Sequence, residues 1–125
     1  MGVILKLSED KYVEWSSVVD APSTSIMTKK EVEEYIQAIH SREEQIAYEK
    51  NPEILEMKKK IVATKVQRRM DRVEMNGTSS AISGDTMENT LSGNRAGPKE
   101  STISLDKIIE LYTYSPEKKG KFPFS

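Results

Sequence analysis

The sequence predicts a mainly helical α+β domain. It should hold an N-terminal β-hairpin, two longer antiparallel helices, a Gly/Ser-rich loop and a short C-terminal helix. Three observations carry this. Apolar residues alternate with period two over residues 3–15. They recur at spacings of three and four from Val32 to Val73. They then thin out over residues 77–101, where glycine and hydroxyl side chains take over. A chain of 125 residues suits a single domain, expected over residues 1–114.

The hairpin is expected over residues 1–17. Val3, Leu5 and Leu7 share one face, Ser8-Glu9-Asp10-Lys11 reverses the chain, and Val13 and Trp15 continue that face on the return strand. Pro22 is expected to end any pairing at Ala21. The first helix is predicted over residues 28–50. Thr28 and Glu31 have the spacing of a capping box, and Met27 and Val32 that of a hydrophobic staple. Glu43 interrupts its apolar stripe. Asn51-Pro52 is a cap followed by a residue suited to the first helical position, so a second helix is predicted over residues 52–76. Asn76-Gly77 ends it, because both residues tolerate the left-handed conformation of a C-cap. Residues 77–101 are expected to form an irregular loop, and a loop of that length in a small domain is usually functional or disordered. Ser104 caps a last helix over residues 104–113, and residues 115–125 read as a mobile tail.

Charge is segregated. Residues 31–56 hold eight acids against Arg42 and Lys50, a net of −6, while residues 57–73 hold seven cations against Asp71, a net of +6. If the two helices fold back on each other, each neutralises the other without any ligand. The whole chain carries 19 Lys and Arg against 20 Asp and Glu. That balance, and the absence of a reading motif, make nucleic acid an unexpected partner. The apolar content of 36% makes a thin core. An isolated helical hairpin would leave faces uncovered, so a homo-oligomer is expected.

Composition also removes chemistry. There is no cysteine and one histidine, His40, which removes thiolate metal sites, and removes the Ser-His-Asp and multi-histidine metal options unless a partner chain supplies the rest. A solvated or core-edge position is the plain reading of His40. No carboxylate pair has a context that promises the raised pKa of a general acid. The chain is therefore expected to be no enzyme, with no metal and no cofactor. No apolar run approaches a membrane span, and none has the form of a signal-peptide core.

Binding chemistry is better represented. Thr78, Ser79 and Ser80 after Gly77, and Asn94 and Arg95 between Gly93 and Gly97, combine backbone N–H groups with hydroxyls, an amide and a guanidinium. Such groups can hold an anion. Arg69 and Arg72 would add charge beside the Gly77 loop, and Trp15 or Tyr12 could offer a ring face, with Asn94 on a base edge. Flexible Gly/Ser loops and core aromatics are the alternative reading of the same residues.

Three fragments are familiar together: Tyr12-Val13-Glu14-Trp15-Ser16-Ser17-Val18-Val19-Asp20-Ala21-Pro22, Gly77-Thr78-Ser79-Ser80, and Asn94-Arg95-Ala96-Gly97-Pro98 followed by Leu105-Asp106-Lys107-Ile108-Ile109. The combination resembles a family of small, mostly uncharacterised tailed-bacteriophage proteins. The first and last fragments are its distinctive parts. The resemblance implies a phage accessory protein working in the host cytoplasm. In that context a counter-defence sponge for an anionic, nucleotide-like immune signal is the leading expectation. A structural or interaction protein, in the virion or docked on a host protein, is the alternative, and a nucleic-acid-binding accessory protein comes third.

Overall fold

The computed structural model describes residues 2–113; the expected tail over 115–125 lies outside them. Strands β1 (Val3–Ser8) and β2 (Lys11–Ser16) form the expected hairpin, with Val3 opposite Trp15 and Leu5 opposite Val13. Asp10 takes the left-handed position of the turn, at φ 54°. A third strand, β3 (Ala21–Pro22), pairs antiparallel with β2 through Trp15 opposite Pro22 and Ser16 opposite Ala21. Pro22 therefore does not stop the pairing. An edge strand tolerates proline, because the missing N–H can be the one that faces away from the sheet.

The other edge of β1 is covered from far along the chain. Lys6 N–H donates to the Gly77 carbonyl at 2.9 Å and Ser79 N–H to the Ile4 carbonyl at 2.9 Å. Gly77 ends α2 (Pro52–Asn76) at φ 75°, and a Cβ there would meet the Met87 Cβ at 2.8 Å. Only glycine combines that backbone with that closeness.

Helix α1 runs over Lys29–Glu43, with the capping box of Thr28 and Glu31 formed as expected. It stops short of residue 50. Gln45 turns left-handed at φ 55°, and a single 3-10 turn over Ile46–Tyr48 leads to Asn51, whose side chain caps α2. The apolar stripe that would hold another turn of α1 lapses at Glu43 and Glu44. The expected loop of 77–101 is also more ordered than its composition suggests. Thr86 caps a short helix, α3 (Met87–Ser92), and Ser104 caps α4 (Leu105–Tyr112).

The sheet is buried on both faces. Leu5, Leu7, Val13 and Trp15 pack with Ala21, Ala96, Ile108 and Tyr112, and Met87 and Leu91 of α3 close over them. On the opposite face Ile4 and Tyr12 pack with Val32 and Ile36 of α1 and Met70 and Val73 of α2. The first of these clusters follows from the alternation of the hairpin; the second does not. The acids of the connection between α1 and α2 pair with cations of α2: Lys65 with Glu44 at 2.9 Å, and Lys58 with Glu49 at 3.0 Å. Among the described residues no helix is long and apolar enough to cross a membrane.

Candidate functional site

Three of the nine expected binding residues share one hollow. Trp15, Thr78 and Ser80 line a cleft of about 600 Å³ between the end of the hairpin, the segment after α2, and α3. Hydroxyls of Ser17, Thr90 and Ser92 and the amide of Asn89 complete its polar wall. Its charged members are Asp20 and Asp85; no Lys or Arg lines it among the described residues. Trp15 offers little ring face, since it is 2% exposed and belongs to the core. Ser80 donates its hydroxyl to Asp85 at 2.6 Å, and its N–H donates to the Thr78 hydroxyl at 3.2 Å. The cleft offers hydrogen-bonding groups and negative charge, which disfavours a phosphate.

The remaining expected residues are occupied elsewhere. Ser79 is buried, and its hydroxyl accepts from Ile4 N–H at 2.8 Å, so it serves the edge of β1. Arg72 turns its Nε–H to the Ser79 carbonyl at 3.0 Å and holds the same segment against α2. Arg69 is half-buried, and burial together with the Arg72 charge lowers its pKa, against the opposing charges of Glu43 and Glu14. Tyr12 presents no ring face for stacking. It lies on the α1/α2 side of the sheet, 2% exposed, with its hydroxyl donated to Glu74.

Asn94 has no edge left for a base. Its amide nitrogen donates to the carbonyls of Leu91 at 2.7 Å and Ile103 at 2.9 Å. Its amide oxygen accepts from Ile103 N–H at 3.0 Å and Ala96 N–H at 3.3 Å. Every donor and acceptor of that side chain is spent inside the fold. Arg95 points to the loop after β2. Its N–H donates to the Asp20 carbonyl at 2.8 Å, and its guanidinium lies 3.5 Å from the Asp20 carboxylate and 3.9 Å from that of Glu100. The two distinctive fragments of the sequence thus meet each other. Ala21 and Ala96 are both fully buried in one cluster, which gives these polar, glycine-containing segments a packing role.

Two features escaped the sequence. One is a buried polar group behind the sheet. The Glu14 carboxylate accepts from the Ser23 hydroxyl at 2.9 Å and the Tyr35 hydroxyl at 3.2 Å, and burial beside it raises the Tyr35 pKa. Glu14 alternates with Trp15, so its inward direction was implied by period two once both faces were known to be covered.

The other is the outer flank of α2. This helix has 25 residues, of which only Val62, Met70 and Val73 are fully buried. Ile54, Met57, Ile61 and Met75 stand exposed at 37%, 56%, 38% and 79%. Their spacing belongs to one face of the helix, and the flank also carries Lys60, Thr64 and Arg68 around a shallow depression of about 350 Å³. The apolar periodicity of α2 contains two stripes, one of Val66, Met70 and Val73 on the core and this one outside it.

Among the described residues no group of three or more His, Asp or Glu side chains is arranged to hold a metal. No protein-family model matches the chain, and comparison with curated proteins and with solved structures finds no significant match.

Proposed function

We propose that the chain is a non-enzymatic interaction protein that docks on another protein through the outer flank of α2. The observation that carries this is the exposed series Ile54, Met57, Ile61 and Met75 on a helix whose opposite side already packs against α1 and the sheet. Single exposed apolar side chains need no explanation, but three successive ones on one helix face, Ile54, Met57 and Ile61, with Met75 farther along it, do. Helix-to-helix recognition reads such anchors at spacings of three, four and seven. The reading suits the phage context that the resemblance implies, as an inhibitor or a virion component.

Site-specific photocrosslinking tests it in the cell where the protein naturally works. A photoreactive residue at Met57 or Ile61 should give a discrete adduct with one other protein, and the same probe at Glu34 on α1 should not. Absence of any adduct from positions 54, 57, 61 and 75 would sink the proposal.

Small-molecule binding stands as a second reading, favoured by the cleft beside Trp15, Thr78 and Ser80. The wall chemistry supports a neutral, hydroxyl-rich or cationic guest better than an anionic nucleotide. Sequestration of a nucleotide signal would need cations, but Arg72 and Arg95 are held on internal partners and Arg69 is half-buried away from the cleft lining.

A further inference from the structure

We infer that the partner seated on α2 is an acidic amphipathic helix of another protein, which rests on the docking reading above and names the chemistry of its occupant. The exposed flank follows a seven-residue pattern. Positions 54, 57, 61, 64, 68, 71 and 75 alternate steps of three and four and carry Ile, Met, Ile, Thr, Arg, Asp and Met. Its apolar part, Ile54, Met57 and Ile61, has the spacing of a seam along which another helix can lie, and Thr64, Arg68 and Asp71 make the face polar before Met75.

Charge selects the partner. Three of the seven cations of α2 are already answered by carboxylates: Lys58 by Glu49 at 3.0 Å, Lys59 by Glu56 at 3.7 Å and Lys65 by Glu44 at 2.9 Å. Lys60 borders this exposed face and Arg68 lies on it, and neither forms an ion pair among the described residues. A helix that lays leucine-like side chains on Ile54, Met57 and Ile61 and carries carboxylates beside them would satisfy both groups.

A second copy fits worse. Parallel pairing of two α2 seams stacks Arg68 on Arg68 and Asp71 on Asp71. The antiparallel register that sets Met57 against Ile61 brings the two Lys60 ammonium groups face to face. Nucleic acid fits worse too. α2 has no aromatic residue to stack a base, and its cations are split by an apolar row where a phosphate track needs continuity.

The test uses the full chain and two labelled synthetic helices with the same leucine seam, one flanked by glutamates and one by lysines. Fluorescence anisotropy at low salt should show the acidic helix binding about tenfold or more tighter, a preference that shrinks as salt screens it. Lys60→Glu with Arg68→Glu should reverse the preference, and Met57→Glu with Ile61→Glu should weaken both complexes. All four side chains are exposed, and a circular dichroism melt checks that each variant folds. Equal affinity for the two helices overturns the acidic partner and leaves docking on α2 standing. Binding of neither overturns the inference, while docking is then judged separately by the crosslinks at Met57 and Ile61. A light-scattering dimer lost in the Met57→Glu, Ile61→Glu variant overturns it in favour of a second copy. Binding of duplex DNA or phosphatidylserine vesicles, indifferent to Met57 and Ile61, overturns it in favour of a polyanion surface.

Discussion

Tyr112 closes the core on the α4 side: its hydroxyl donates to the Ala96 carbonyl at 2.8 Å, and burial pushes its pKa up to about 12. The sign of the resulting pH dependence follows from where the proton is held. In the unfolded chain the phenol ionises near its ordinary value of 10.0, whereas in the folded protein it stays protonated. The contribution to stability is fully present below pH 10 and is lost as pH rises from there toward 12. Tyr112→Phe removes both the hydrogen bond and this titration. It should cost about 1 kcal/mol at pH 7, and the gap to the parent should narrow or close at pH 11. Urea unfolding at the two pH values decides it. Tyr12, also raised by burial, is common to both proteins and cancels. A gap unchanged between the two pH values would mean that burial does not hold the proton.

At the scale of elements, the ends set by local chemistry were legible and those set by distant pairing were not. Thr28 with Glu31, Asn51 before Pro52, Gly77 and Ser104 each act within one turn of helix, so the start of α1, both ends of α2 and the start of α4 follow from the sequence. β3 needs β2 beside it, and the segment after Gly77 needs β1, a partner some seventy positions away. Composition makes both look like loop. The candidate site suffered from the same blindness. Hydroxyls and an amide at Ser79 and Asn94 look available in a sequence, and only the folded chain reveals the backbone groups that consume them. Asn94 is the clearest case, because it ties the end of α3 to the approach of α4. Asn94→Ala strands the N–H groups of Ala96 and Ile103 and the Ile103 carbonyl in a buried place, so it should cost about 3 kcal/mol in urea unfolding. A loss under 1 kcal/mol would mean that water replaces the amide and that the segment is free to serve a ligand.

For the molecule as a whole, two apolar clusters on opposite faces of one sheet account for the fold without the outer flank of α2. This separates residues kept for stability from residues kept for something else. Ile36 is fully buried between α1 and the sheet, and Ile36→Ala should cost about 2–5 kcal/mol through lost transfer energy and the cavity it leaves. Met57 and Ile61 touch solvent, so their conversion to glutamate buries no charge. Met57→Glu with Ile61→Glu should therefore leave the unfolding free energy within about 0.5 kcal/mol of the parent. Attraction of the new carboxylates to Lys60 and Arg68 is offset by their repulsion of each other and of Glu53 at spacings of four, so the net electrostatic change should be small. A matched pair of urea titrations reads both outcomes. If the double glutamate variant is destabilised by more than about 1 kcal/mol, the exposed row is covered in the free protein and serves its own folding or self-association. If it is as stable as the parent, these apolar side chains do nothing for the isolated chain, and a binding partner is what accounts for them.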